Sequence, residues 1–77
     1  MNAKRRKELE KIAAAVEELR LRIDDLREEE NEAFENLPEG IQEGERGEKM
    51  QEAIEALDSA MCTLEEATEY VNEAIAV

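Results

Sequence analysis

Apolar residues in the first half of the chain fall at Leu9, Ile12, Val16, Leu19, Ile23, Leu26, Ala33 and Leu37. The steps alternate between three and four, then widen to seven across Glu30, the one polar residue in the register. Placing 9, 16, 23, 30 and 37 at heptad position a puts 12, 19, 26 and 33 at d. A 3.5-residue repeat held for about four heptads predicts an α-helix with a coiled-coil seam. A strand would alternate with period two, and no such stretch occurs.

The second half repeats the pattern. Met50, Ile54, Leu57, Met61, Leu64, Thr68, Val71 and Ile75 step by four and three, with a at 54, 61, 68 and 75 and d at 50, 57, 64 and 71. Alongside lie Ala53, Ala60, Ala67 and Ala74, spaced by seven and all at g. Small side chains next to a seam let another helix approach closely and widen the face available for burial. A two-stranded coil needs only a and d, whereas a bundle uses a third apolar position. The second helix therefore reads as a bundle helix.

Between the two patterns lies Asn36-Leu37-Pro38-Glu39-Gly40-Ile41-Gln42-Glu43-Gly44-Glu45-Arg46-Gly47. Pro38 drives Leu37 away from helical geometry and ends the first helix nearby. Gly40 and Gly44 are expected to be able to take positive φ. Gly44 is an expected N-cap, followed by Glu45 and Glu48 in the first turn, where the helix dipole favours anions. Gly47 inside that turn costs about 1 kcal/mol relative to alanine, and close packing there is a reason for it. These signals give one helical-hairpin domain over 1–77: a first helix over about 3–36, a hinge at 37–44 and a second helix over about 45–76. Each helix is roughly 50 Å long at 1.5 Å per residue. Similar lengths and a short connection favour an antiparallel pair.

Charge supports that orientation. Lys4, Arg5, Arg6, Lys7 and Lys11 crowd the start of the first helix, and Glu65, Glu66, Glu69 and Glu73 the end of the second. Both clusters sit at the wrong end of a helix dipole. An antiparallel hairpin is expected to set them side by side, although exposed pairs contribute only ~0.2–1 kcal/mol each.

Composition decides how such a hairpin is stabilised. Of 77 residues 42% are apolar, but there is one Phe, one Tyr and no Trp. A domain of this size buries roughly 60% of its unfolded surface and is marginally stable. One cysteine and no histidine exclude an intramolecular disulfide and argue against structural zinc. Oligomerisation is the remaining staple. The fold expected is all-α: a coiled-coil-like antiparallel hairpin dimerising into a four-helix bundle.

The net charge of −12, from 22 acidic and 10 basic residues, disfavours direct binding to nucleic acid or anionic membranes. The longest apolar run, Ile12 to Val16, is far below the ~20 residues of a membrane span. Met1 to Lys7 resembles the basic start of a signal peptide, but Glu8, Glu10 and Lys11 interrupt any hydrophobic region after it. A cytoplasmic location is expected, where a free thiol is normal.

Few residues offer chemistry. Glu30 at an a position is either a buried carboxylate, or a residue near solvent where Phe34 takes over the core. A four-helix carboxylate metal site draws on Glu-x-x-His pairs, and the chain has no His. Cys62 at b lacks a visible activating base or second thiol and reads as a passive, partly exposed thiol. Tyr70 at c and Leu21 at f belong either to a partner-binding patch or to the ordinary scatter of exposed apolar residues. The run Arg27-Glu28-Glu29-Glu30-Asn31-Glu32 and the acid-rich second helix are either a solubilising face or a carboxylate rod able to occupy a basic groove on another protein. With no phosphate loop and no nucleophile elbow, the expectation is a non-enzymatic chain with no catalytic, cofactor or metal site. The expected partner is itself, as a homodimer or higher oligomer, with an additional protein partner open. The alternative reading is an acidic nucleic-acid mimic.

The stretch from Ala33 to Met50, with Asn36-Leu37-Pro38-Glu39 and Glu45-Arg46-Gly47-Glu48, resembles the hinge of small acidic helical-hairpin proteins from phages, prophages and Firmicutes, an uncharacterised family. The similarity covers the hinge and second helix. It departs at Gly40 and Gly44, where the family pattern has serines, which implies looser caps. The resemblance implies a mobile-element origin and no particular activity.

Overall fold

Asn2 starts the first helix by accepting a hydrogen bond on its side-chain oxygen from the backbone N–H of Arg5 at 2.9 Å, which satisfies one of the donors that every helix start leaves free. In the computed structural model, which describes Met1–Val77, three helices follow: α1 (Ala3–Glu35), α2 (Glu39–Gln42) and α3 (Glu45–Ala76). There are no strands. α1 and α3 lie side by side in an extended hairpin whose backbone measures 58 × 14 × 12 Å.

The hinge holds more structure than its sequence announced. Asn36 caps α1, Pro38 opens the single turn of α2, and Gly44 caps α3. Gln42 reaches back from α2, its Nε2 donating to the carbonyls of Phe34 at 3.1 Å, Glu35 at 3.3 Å and Leu37 at 3.1 Å. The two hydrogens of one side-chain amide, shared among three oxygens, thus tie the end of α1 to the hinge: the Glu35 carbonyl is one that the helix end leaves free, while that of Phe34 also accepts from the Leu37 N–H. No glycine takes a positive φ, so the freedom available to Gly40 and Gly44 is not used. Gly44 is extended, at φ −88° and ψ −173°, so a β-region cap suffices there. Gly47 serves close approach. It is the one buried residue of the chain, and a Cβ there would overlap the carbonyl oxygen of Gln42 and lie 2.7 Å from its Cα.

Along the shafts, half-buried positions step by four and three from Leu9 through Ala13, Val16, Arg20, Ile23, Arg27, Glu30 and Phe34 of α1 to Leu37 just past its end. This is the a/e face, with Arg6 also half-buried and Glu17, Asp24 and Asn31 half-buried at b beside it. The a positions of the sequence register therefore meet α3, but the d positions do not. On α3 the half-buried positions include the expected a and d residues, from Met50 and Ile54 to Val71 and Ile75. Thr68, at an a position, donates its hydroxyl to the Leu64 carbonyl at 3.0 Å, so its polar group is satisfied within the helix. No hydrophobic residue is fully buried. Two helices alone do not enclose a core.

The basic and acidic termini do not pair as expected. The ion pairs that cross the hairpin lie mid-shaft, Arg20–Glu65 at 3.4 Å and Arg27–Asp58 at 3.3 Å. At the open end Arg6 donates to the Val77 carbonyl at 3.0 Å, and Lys11 turns to Glu8 on its own helix. Long cations at e have aliphatic stems to lay across the seam and heads that reach acids on α3.

Candidate functional site: two unlike sides of the hairpin

In an antiparallel pair the e positions of both helices flank one side of the seam, and the g positions flank the other. The e side here is polar. Arg20 forks onto Glu17, with Nε at 3.0 Å and Nη2 at 2.6 Å from its carboxylate oxygens, while Nη1 faces Glu65. Arg27 is held by Asp24 at 2.7 Å and faces Asp58. The hydrogen bond from Arg20 keeps the Glu17 carboxyl below the usual carboxylate range and raises the guanidinium in turn. The bond from Asp24 raises Arg27 likewise.

The other side carries an apolar stripe that nothing within the chain covers, edged on α1 by the g residues Glu8, Arg22 and Glu29. Ile12, Leu19 and Leu26, the d residues of α1, are 49%, 48% and 59% exposed. Leu19, Ile23 and Leu26 line an open groove with Arg22 and with Leu64 of α3, which places the d stripe beside α3. On α3, every a, c, d and g position from Met50 to Val77 is uncharged, and every acid in that stretch lies at b, e or f. The c and g residues include Ala53, Ala56, Ala60, Thr63, Ala67 and Tyr70. All but Ala60 are exposed. At 3.6 residues per turn this stripe spans roughly 160° of the helix, against the ~100° of an ordinary core-facing face. α1 covers only the a/d part.

The single residues of interest fall as follows. Glu30 is half-buried on the a/e face and makes no ion pair. Phe34 is half-buried on the same face and joins Glu30 there instead of displacing it. Cys62 is exposed. Tyr70 is 71% exposed on the uncharged stripe, and Leu21 is 49% exposed at f, away from it. No three His, Cys, Asp or Glu side chains converge in a way that could hold a metal ion, and no helix is long and apolar enough to cross a membrane. The sequence register located the a/d and g stripes of α3 as one widened face, but not that the d stripe of α1 lies exposed beside it. That follows only once α1 turns its a/e face to α3. The absence of charge at c on α3 was readable from the sequence and is the signal that would have widened that face further. Compared with known proteins, the chain matches no family model, no curated protein and no solved structure.

Proposed function

We propose that this chain is a non-catalytic, cytoplasmic helical module that works by self-association, two hairpins joining as a four-helix bundle. The observation that carries the reading is the uncharged side. α3 presents a stripe wider than its own α1 covers, and α1 adds three large exposed residues in register beside it. Water contact over such a patch is unfavourable at roughly 25 cal/mol per Å², and contiguous apolar patches of this kind mark interaction sites. The absence of any fully buried hydrophobic residue leaves the isolated hairpin without the core that a chain of this length needs.

Light scattering across a dilution series, with helicity followed in parallel, tests this. The expected result is a particle of twice the chain mass whose helicity falls as it dissociates. A helical monomer that persists at low micromolar concentration would overturn the bundle.

A second reading has its own observation. The outward b and f positions of α3 carry Glu48, Glu52, Glu55, Glu66, Glu69 and Glu73, all exposed, and no Lys or Arg follows Lys49. A rod with such a row suits a basic groove on another protein, in the manner of a nucleic-acid mimic, and the phage-like hinge makes a host protein a reasonable target. The two readings differ in the sign of the salt effect. Binding to a basic partner weakens as salt rises, whereas two copies with a net charge of −12 each repel, so their association strengthens.

A further inference from the structure

We infer that the occupant of the uncharged side is a second copy of this chain, related by a two-fold axis that runs parallel to the helices, so that α1 of each copy packs against α3 of the other. This rests on the self-association proposed above and specifies its geometry. Two face-to-face arrangements are open to a hairpin with this side. An axis across the helices stacks α1 on α1 and α3 on α3. An axis along them stacks α1 on α3 twice, and both arrangements leave every neighbouring pair antiparallel.

The register within one hairpin chooses between them. The Arg20–Glu65 and Arg27–Asp58 pairs show that residues at one level on α1 and α3 have numbers adding to about 85. Rotation about an axis along the helices leaves heights unchanged, so the same relation governs contacts between copies. Ile12, Leu19 and Leu26 of one copy then come level with Ala74, Ala67 and Ala60 of the other, each within about one residue, or ~1.5 Å. Every large exposed residue of the d stripe thereby meets an alanine of the g stripe, and the seven-residue spacing is shared. Large against small lets two helices interlock at close approach. The crosswise arrangement would instead set alanine on alanine and leucine on leucine, leaving a gap along one pair and crowding along the other.

Size and charge agree with this occupant. The backbone outline of the hairpin, 58 × 14 Å in its long plane, leaves room on one side for a contact of the order of the ~800 Å² that one partner contributes to a stable specific interface. At the rim, Lys11 of one copy comes level with Glu73 of the other, and Arg22 falls within about a turn of Glu66. The crosswise arrangement would face two copies of α3, which has no cation after Lys49.

Disulfide trapping reads the arrangement directly. In a Cys62→Ser background, Leu19→Cys lies at the midpoint of α1 and Ala67→Cys comes level with it on α3. Oxidising a mixture of the two single-cysteine chains is expected to give a cross-linked band at twice the chain mass that contains one of each, and this band is lost when either chain is oxidised alone. Ile12→Cys with Ala74→Cys provides the same readout should Leu19→Cys lose helicity. Self-cross-linking of Leu19→Cys and of Ala67→Cys, without the mixed product, would establish the crosswise axis and overturn this inference while leaving self-association intact. A dimeric mass with no cross-link in any pair would overturn the assignment of this side. A monomeric mass in the Cys62→Ser parent would overturn the self-association reading itself.

Discussion

At the hinge two stretches of backbone touch, whereas along the shafts α1 and α3 meet only through half-exposed side chains. Gly47 lies against the backbone of Gln42, and the Gln42 side chain closes the end of α1. The shafts show a seam with no fully buried hydrophobic residue, one ion-paired flank and one bare flank. The hinge is complete within one chain. It fixes the turn and so the level at which α1 meets α3. The shafts leave one flank bare, which is the flank that the proposed second copy would cover. A short chain can in this way specify a hairpin by itself and leave most of its stability to association.

A charge placed on the bare flank separates the shafts from the hinge most strongly. Leu26→Asp changes a residue that is 59% exposed in the hairpin. A site that exposed ordinarily tolerates substitution within about 0.5 kcal/mol. If a second copy covers it, the carboxylate is desolvated without a partner, and once in each copy. The expected loss is at least about 3 kcal/mol, more than a hundredfold in dimer affinity, seen as a shift of the light-scattering mass to monomer at concentrations where the parent is dimeric. An unchanged dimer would show that the shafts do not use this flank.

The hinge side is tested next by Gly47→Ala. In an exposed helix interior this change stabilises by about 1 kcal/mol. Here the added carbon collides with Gln42 backbone, which cannot swing away as a flexible side chain would, so overpacking of ~1–3 kcal/mol is expected to outweigh the gain. For a small domain each kcal/mol moves the melting temperature by roughly 4–8 °C. Gly40→Ala is the control, because nothing lies within 4 Å of its Cβ position, and it is expected to melt no lower than the parent. Gln42→Ala, which strips the cap from the end of α1 but adds no atoms, is expected to cost about 1 kcal/mol. Equal effects of Gly47→Ala and Gly40→Ala would mean that the hinge is not the tight element the geometry describes.

How much of this was legible in the sequence differs between the same two regions. The shafts announced themselves through the heptads, and the helix over 45–76 coincides with α3 (Glu45–Ala76). The face α1 turns to its partner did not, because a binary pattern scores Arg20 and Arg27 as polar and discards e, although their stems can line a seam while their heads reach across it. Phe34 at e was the available clue. In the hinge, α2 is a single turn containing Gly40, too short for any periodicity to register. The three-carbonyl cap by Gln42 follows no spacing rule. The cost of Gly47 was visible, but the Gln42 backbone that explains it was not, since no local pattern tells which part of a hinge folds back onto a helix. Asn2 ahead of α1 was readable as a cap and is the one local signal left unused.

The smallest expected effect concerns the ion-paired flank of the shafts. Glu17 is held below its ordinary pKa of 4.5 chiefly by the hydrogen bond from Arg20. A carboxyl depressed in the folded state stabilises that state above the unfolded pKa, and the contribution disappears as pH falls through the folded value. Glu17→Gln is therefore expected to melt slightly below the parent at neutral pH, with the gap closing once the pH drops well under 4.5. Both proteins should gain as the pH first falls from neutrality, because protonating part of a surface with a net charge of −12 relieves self-repulsion. Only the difference between the two curves isolates Glu17. A gap that stays constant across the titration would assign the loss to packing of the side chain and not to its charge. A gap that closes would show that the Glu17–Arg20 pair contributes through its charge, and modestly.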